Sequence, residues 1–503
     1  MTAYSKSEQR LVVVITALVS GIGFIDTTAL NVALPFIQKT LNASAADTYW
    51  VLEIYLLGLA ALLMAGGALG DALGRRRPLY WGVVLFALTS LGCALSTSAS
   101  ALIFFRALQG ISAALMVPAS LALLNASFAP EERGPAIGRW SALVSLTIPL
   151  GPLFGGLAVD IFSWQLIFWV NVPLCLLVLW MMRGLRKPPF EPPEGVPLDL
   201  VGSGLVTIAL GLMTYALMEA GRYGSFTPLH LKLFIAGLFA FVFFLYSQTV
   251  IKTPMIPPAL FKDRRFVIIN LHTLFLFAGF QSATFFLSFL LVQSYGYSAL
   301  AAGAAALPIS ILVAILSRYA GQWTTRHGPR GILTISSAFL GVSFIWLSQT
   351  DGRYFETILV PMLLLGLGVA AFAAPVTTIA MVSAGKGRDG LASGVNNAVA
   401  RIGPLLAIAA LGYVMAFEFE AQALAHPLFA TLPVEVQNFI NAHLNELGGM
   451  VLPDDWPSAW QINAQTIIGE AYANTVKFAM KLCAGMMGVC VFLSLSYRKE
   501  DVF

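Results

Sequence analysis

Apolar runs long enough to matter recur along the whole chain, separated by short polar turns. They lie near residues 11–37, 49–70, 78–98, 101–124, 136–158, 165–183, 199–219, 229–250, 266–293, 300–323, 331–349, 355–382, 391–416 and 473–496. Most approach or exceed the length of about 20 residues with which a helix crosses the hydrocarbon of a bilayer. They are apolar on every face, as a helix is when lipid surrounds it. Backbone groups in lipid must be satisfied within the segment, so each run is predicted to be a helix. The pattern predicts an all-α polytopic membrane protein with fourteen spans. The first run is followed by many others and reads as a span, not as a cleaved signal peptide.

Composition narrows the class. Of 503 residues, 58% are apolar and 11% charged, against about 25% charged in a soluble domain. A mean hydropathy of +0.80 agrees, and a soluble enzyme is excluded. There is no Gly-rich phosphate loop, metal-ligand cluster or nucleophile triad, so neither an enzyme, a cofactor nor ATP-driven transport is expected. Cys93, Cys175, Cys483 and Cys490 sit inside apolar runs, in neither metal nor disulfide spacing, and read as structural thiols.

The net charge of +4 is small and falls in short clusters between runs, so it signals topology and not nucleic acid. An even number of spans puts both termini on one side. With that side cytoplasmic, the inner segments hold Arg75, Arg76, Arg77, Arg133, Arg139, Arg183, Arg264, Arg265, Arg326, Arg330 and many more. The outer loops hold only Lys39, Arg222, Lys232 and Arg353. A multi-pass protein of the bacterial inner (cytoplasmic) membrane with both termini cytoplasmic is expected.

A weak internal repeat divides the chain. GALGDALGRRR (Gly67 to Arg77) follows the second span, and GQWTTRHGPR (Gly321 to Arg330) follows the tenth. If spans seven and eight are an insertion, six spans remain on each side of it, as in two repeated halves around a central pathway. The expected divisions are 1–183, a six-helix bundle; 184–265, a proline-stiffened linker and two inserted helices; and 266–503, a second bundle. The last includes an acidic outer loop at about 417–470 with Glu418, Glu420, Glu435, Glu446, Asp454, Asp455 and Glu470. That loop reads either as solvated and weakly ordered or as an anionic lid. Within it Val436, Ile440, Leu444 and Leu447 recur at helical spacing, the mark of a short surface helix.

Charged side chains within spans need a partner, a cavity or an interface. Asp26 stands roughly 22 Å from the inner edge at a rise of about 1.5 Å per residue. Glu53 and Arg106 stand a few residues into inward-running spans, so the three share the outer third. Facing one cavity, two carboxylates and a guanidinium can hold a proton or a cation. Alternatively, Arg106 neutralises one acid to lock helices together, or Glu53 reaches the headgroups. Arg401 lies near mid-depth and keeps its charge. It could meet an anionic or zwitterionic substrate, or bind carbonyls and Asn396 or Asn397.

These residues resemble a known family. IDTTALNVALP (Ile25 to Pro35), GALGDALGRRR, LIFFRALQGISAA (Leu102 to Ala114) and GPLFGG (Gly151 to Gly156) occur in order on the right spans. The set is similar to the signature of the major facilitator superfamily, specifically its fourteen-helix drug:proton antiporter family. The resemblance implies two six-helix bundles plus two inserted helices, working by alternating access. It implies proton-coupled export of amphipathic, cationic molecules such as drugs or quaternary-ammonium compounds. Asp26, Glu53, Arg106, Asn31 and Arg401 are then the proton-coupling and substrate residues. Asp71, Gly67, Gly74, Arg75 and Arg77 are the inner gate, with Ala72 standing where the family has a basic residue. Gly151, Pro152, Gly155 and Gly156 mark proton-driven exporters, with Thr147 where the family often has Gly. The expected partners are a small-molecule substrate, protons and the bilayer, with a periplasmic adaptor if the cell is Gram-negative. An exporter of a zwitterionic or anionic metabolite or lipid, and a non-transporting membrane receptor, remain as alternatives.

Overall fold

The computed structural model describes residues 4–145, 147–185, 199–383 and 389–497. The proline-rich linker at 186–198 lies outside the described residues. The described chain is helical because apolar runs in lipid close their own hydrogen bonds. In order come α1 (Lys6–Thr40), α2 (Ala45–Leu73), α3 (Arg76–Ala94), α4 (Ala99–Ala126), α5 (Pro130–Ser145) and α6 (Thr147–Leu157). There follow α7 (Leu166–Trp169), α8 (Asn171–Arg183), α9 (Leu200–Arg222), α10 (Pro228–Val250), α11 (Arg264–Phe289) and α12 (Ala299–Ala305). The series closes with α13 (Leu307–His327), α14 (Pro329–Leu347), α15 (Leu359–Ser383), α16 (Asp389–Leu424), α17 (Val434–Ala442) and α18 (Ser458–Leu495).

Among the described residues, thirteen stretches are long and apolar enough to cross a membrane. The fifth of the fourteen predicted spans falls on α5 and α6, and among the described residues its apolar helical stretch runs from Leu150 to Phe162, past the end of α6. Pro135 and Pro152 stand within these helices and each withholds one N–H donor.

Two compact units appear. One comprises Met1–Asn31, Val51–Leu210 and Phe239–Pro257; the other comprises Val32–Trp50, Gly211–Leu238 and Pro258–Phe503. In the first, α3 packs along α4 and against α8. In the second, α14 packs on α15 and α18, α13 on α15, and α11 on α16 and α18. Helices α9 and α10 are tied by a small lock: Asp199 accepts from the Gly202 N–H (2.6 Å) and from Gln248 Nε2 (2.7 Å).

The acidic loop departs from the reading as a solvated, weakly ordered segment. Helix α16 continues to Leu424 and α18 starts at Ser458, so much of 417–470 is helical. Between them α17 buries Val436 and Ile440, as the helical spacing predicts. A tight turn follows in which Leu447 is buried with φ +52°. Gln38 Nε2 donates to the Glu446 carbonyl (2.8 Å), and Gln293 Nε2 donates to Gln38 Oε1 (2.9 Å). Apolar side chains at helical spacing outweigh the acids, because the charges can point away while the apolar stripe docks. Burial of the Glu446 carboxyl raises it above the ordinary glutamate range.

The two copies of the repeat share a backbone feature. Gly74 follows α2 with φ +81°, and Gly328 follows α13 with φ +85°, a conformation open to glycine at little cost. Equal spacing of glycines in the sequence therefore reflects equal turns in space. We expect Gly74→Ala and Gly328→Ala each to lose about 1–3 kcal/mol to backbone strain. Gly485→Ala, in the interior of α18 with open space around its Cα, should be neutral or stabilising by up to about 1 kcal/mol. Unfolding of the purified proteins in detergent checks both signs.

Candidate functional site

Asp26 lies on α1 and is fully buried. Its Oδ2 accepts from Arg106 Nη1 of α4 at 2.6 Å, an ion pair with no solvent exposure on either side. Its Oδ1 accepts from Asn171 Nδ2 of α8 at 2.9 Å and from Gln109 Nε2 of α4 at 3.3 Å. Three donors thus converge on one carboxylate, and the donor set suits its ionised form. Because an isolated charge is very costly in a dry interior, these partners are a condition of its being there.

Arg106 is held as tightly. Its Nε donates to the Val51 carbonyl (3.0 Å) and Nη1 also donates to Gln109 Oε1 (2.7 Å). Its guanidinium carbon lies 4.3 Å from the centre of the Tyr55 ring and 5.7 Å from that of Phe168, within cation–π range. Gln109 Nε2 also donates to Ser90 Oγ on α3 (2.8 Å). Arg106 Nη2 has no hydrogen-bond partner among the described residues.

Small residues make this arrangement possible. A Cβ at Gly110 would lie 2.5 Å from the Tyr55 carbonyl oxygen, so α4 can reach α2 only because Gly110 has none. On the other side of Asp26, a Cβ at Gly155 would lie 2.5 Å from the Ala29 carbonyl, and one at Gly151 would collide with Thr28. Gly151 and Gly155 of the GPLFGG segment thus pack α6 against the turn that follows Asp26. Gly156 is buried beside them and Pro152 half-buried.

Not all sequence-predicted residues gather here. Asp26 and Arg106 meet. Glu53 is fully buried, yet neither of its oxygens has a hydrogen-bond partner among the described residues. The Tyr55 ring faces Arg106, and Glu53 lies roughly 200° around the helix from Tyr55 at about 100° per residue. The carboxylate pair around one guanidinium is therefore not formed. Asn31 is half-buried, with a buried Oδ1 that has no partner among the described residues. Arg401 is half-buried in α16, while Asn396 donates to Thr273 (2.8 Å) and Asn397 to the Ser393 carbonyl (2.9 Å).

At the α2–α3 turn, Arg75 Nη1 donates to the Ala122 carbonyl at 3.1 Å, Gly67 approaches Pro118, and Arg77 is exposed. The side chain of Asp71 lies outside the described residues. Sequence reasoning missed Asn171, Gln109 and Ser90, because it looked for charge. The signal available was an amide in each of two apolar runs.

Comparison with known proteins now bears on this site. The sequence profile of the Major Facilitator Superfamily matches residues 16–408. The chain belongs to that superfamily. It is 32% identical over 409 residues to the methylenomycin A resistance protein of Bacillus subtilis, covering 80% of this chain and 87% of that one. It is 32% identical over 436 residues to the multidrug resistance protein Stp of Mycobacterium tuberculosis, covering 86% and 81%. Among solved structures, a bacterial homologue of the human lysosomal transporter Spinster, inward-facing and occupied, aligns over 99% of each chain. Its TM-score is 0.69 at 15% identity, a likeness of fold.

This major facilitator protein is therefore a multi-pass membrane transporter and not an enzyme. Its buried pair should behave as one unit. Arg106→Leu should destabilise the protein by about 3–5 kcal/mol by leaving the Asp26 carboxylate unpaired, and Asp26→Leu/Arg106→Leu should recover part of that loss. Thermal unfolding of the four members of the cycle in detergent checks it; additive losses would show that the pair is not coupled.

Proposed function

We propose that this transporter exports amphipathic, cationic small molecules, drugs among them, in exchange for protons entering the cell. The observation that carries the reading is the fully buried Asp26–Arg106 pair, with Glu53 buried on the neighbouring helix and without a hydrogen-bond partner among the described residues. An ionisable residue inside a span is a functional site by default, since stability alone would favour apolar packing. Asp26 and Glu53 exchange protons with the outer side, and Arg106 tunes the affinity of Asp26. Asn31 and Arg401 line the substrate path. Asp71, Gly67, Gly74, Arg75 and Arg77 hold the inner gate, while Gly151, Pro152, Gly155 and Gly156 let α6 slide against α1. The two halves, 1–183 and 266–503, rock about the site, with 184–265 inserted between them and both termini in the cytoplasm.

The names of the relatives support export of drug-like cargo. Besides the methylenomycin A and multidrug resistance proteins, the tetracenomycin C resistance and export protein of Streptomyces glaucescens is 32% identical over 396 residues. Carboxylates with no second-half counterpart favour monovalent cations. The membrane is the bacterial cytoplasmic membrane, and in a Gram-negative cell a periplasmic adaptor would carry cargo onward.

The test is uptake of tetraphenylphosphonium, a lipophilic cation, into inverted vesicles with an imposed pH gradient. Wild-type vesicles should accumulate it, and collapsing the gradient should abolish the accumulation. Asp26→Asn should remove gradient-driven accumulation while the protein still inserts and elutes as a folded species. Continued accumulation by Asp26→Asn would take Asp26 out of the coupling role, and accumulation of an anionic amphiphile instead would overturn the cargo class.

A further inference from the structure

Asn171 opens α8, one residue after the turn at Val170 that separates it from α7. Pro173 has no N–H, so the Trp169 carbonyl loses its usual helical donor. The Leu174 N–H reaches the Val170 carbonyl only at 3.5 Å. The sixth predicted span is thus loosened at the level of the site. The Asn171 side chain is fully buried. Its amide nitrogen donates to Asp26 Oδ1 at 2.9 Å and, more weakly, to Ser90 Oγ at 3.4 Å. Its amide oxygen is buried with no hydrogen-bond partner among the described residues. A buried acceptor left without a donor is rare and asks for an explanation.

The explanation lies in where a proton can sit on Asp26. Oδ2 faces Arg106 Nη1, and a guanidinium only donates, so a proton on Oδ2 would set donor against donor. Oδ1 faces two amide nitrogens. Gln109 cannot turn its amide over without losing the bond its oxygen accepts from Arg106 (2.7 Å) and the bond its nitrogen makes to Ser90 (2.8 Å). Asn171 can turn at far lower cost: its oxygen has no bond to lose among the described residues, and its nitrogen gives up only the 3.4 Å contact with Ser90. The other titratable groups around Asp26 are Tyr55 on α2, which stacks under Arg106, Cys93 on α3 and Cys175 on α8. The Cys93 thiol already donates to Gln109 Oε1 (3.7 Å).

We propose that Asn171 reads the protonation state of Asp26. A proton arriving from water binds Oδ1 and cancels the carboxylate charge, and the Asn171 amide turns over so that its oxygen accepts the new O–H. Arg106 keeps its charge and stays held by the Val51 carbonyl, Gln109 and the Tyr55 ring. The turning amide belongs to the loosened Val170–Pro173 turn, so protonation of α1 is passed to the sixth span. Asn171 is a positioning residue in this scheme, which rests on proton coupling at Asp26.

Infrared difference spectra of the wild-type protein in lipid nanodiscs, with asparagine side chains isotope-labelled, test this during a pH titration. A protonated-carboxyl band that Asp26→Asn removes should rise together with a shift of one asparagine amide band, and Asn171→Leu should remove that shift. In vesicles, Asn171→Leu should lower gradient-driven tetraphenylphosphonium uptake about tenfold, the worth of one hydrogen bond to a charged group. Asn171→Asp, which offers acceptors only, should move the pH profile of uptake to higher pH. A carboxyl band at Asp26 that titrates with no amide shift would overturn the role of Asn171 and leave proton coupling intact. Absence of any titrating band assigned to Asp26 would overturn both.

Discussion

A carboxylate cannot sit in hydrocarbon without company, and most of the local architecture of this transporter answers that constraint. Asp26 is fully buried, so its charge has to be met by Arg106, Asn171 and Gln109 drawn from two other helices. Arg106 brings the same demand, met by the Val51 carbonyl, Gln109 and the face of Tyr55. Each partner then dictates a neighbour: Gln109 needs Ser90, and Arg106 needs a helix close enough to offer a backbone carbonyl. Replacing such a network with apolar side chains would often be no worse for stability. Its presence is better understood through what a charge that changes state can do.

Close approach of helices is the second requirement, and it is met by the absence of side-chain atoms. Gly110 lets α4 touch the backbone of α2, and Gly151 with Gly155 lets α6 touch α1 just beyond Asp26. Without a hydrophobic effect between helices in lipid, such contact comes from dispersion and interhelical hydrogen bonds, both of which need short distances. The same glycines therefore build the scaffold and define the geometry of the charge cluster.

Much of this was legible in the linear pattern, and the exceptions have physical causes. Of the fourteen spans predicted from length and apolarity, thirteen coincide with long apolar helical stretches among the described residues. Asp26 and Arg106 could be named as partners because charge in lipid is conspicuous and their depths agreed. Glu53 shared that depth but faces elsewhere, and depth alone carries no information about azimuth. Asn171 and Gln109 went unnoticed since a neutral amide costs far less to bury than an ion. The acidic stretch could be read two ways: its charges suggested a solvated loop, while Val436, Ile440 and Leu447 at helical spacing marked the short helix and turn that dock.

Helix α1 joins two of these features on a single rod. Asp26 stands in its middle and Gln38 near its end, roughly 18 Å further along at about 1.5 Å per residue. Gln38 is fastened to the Glu446 carbonyl and to Gln293. Between them Pro35 deprives the Asn31 carbonyl of its helical donor. The rod is consequently stiff on either side of a soft joint. The helix can therefore flex beside Pro35 without breaking the bonds that moor Gln38.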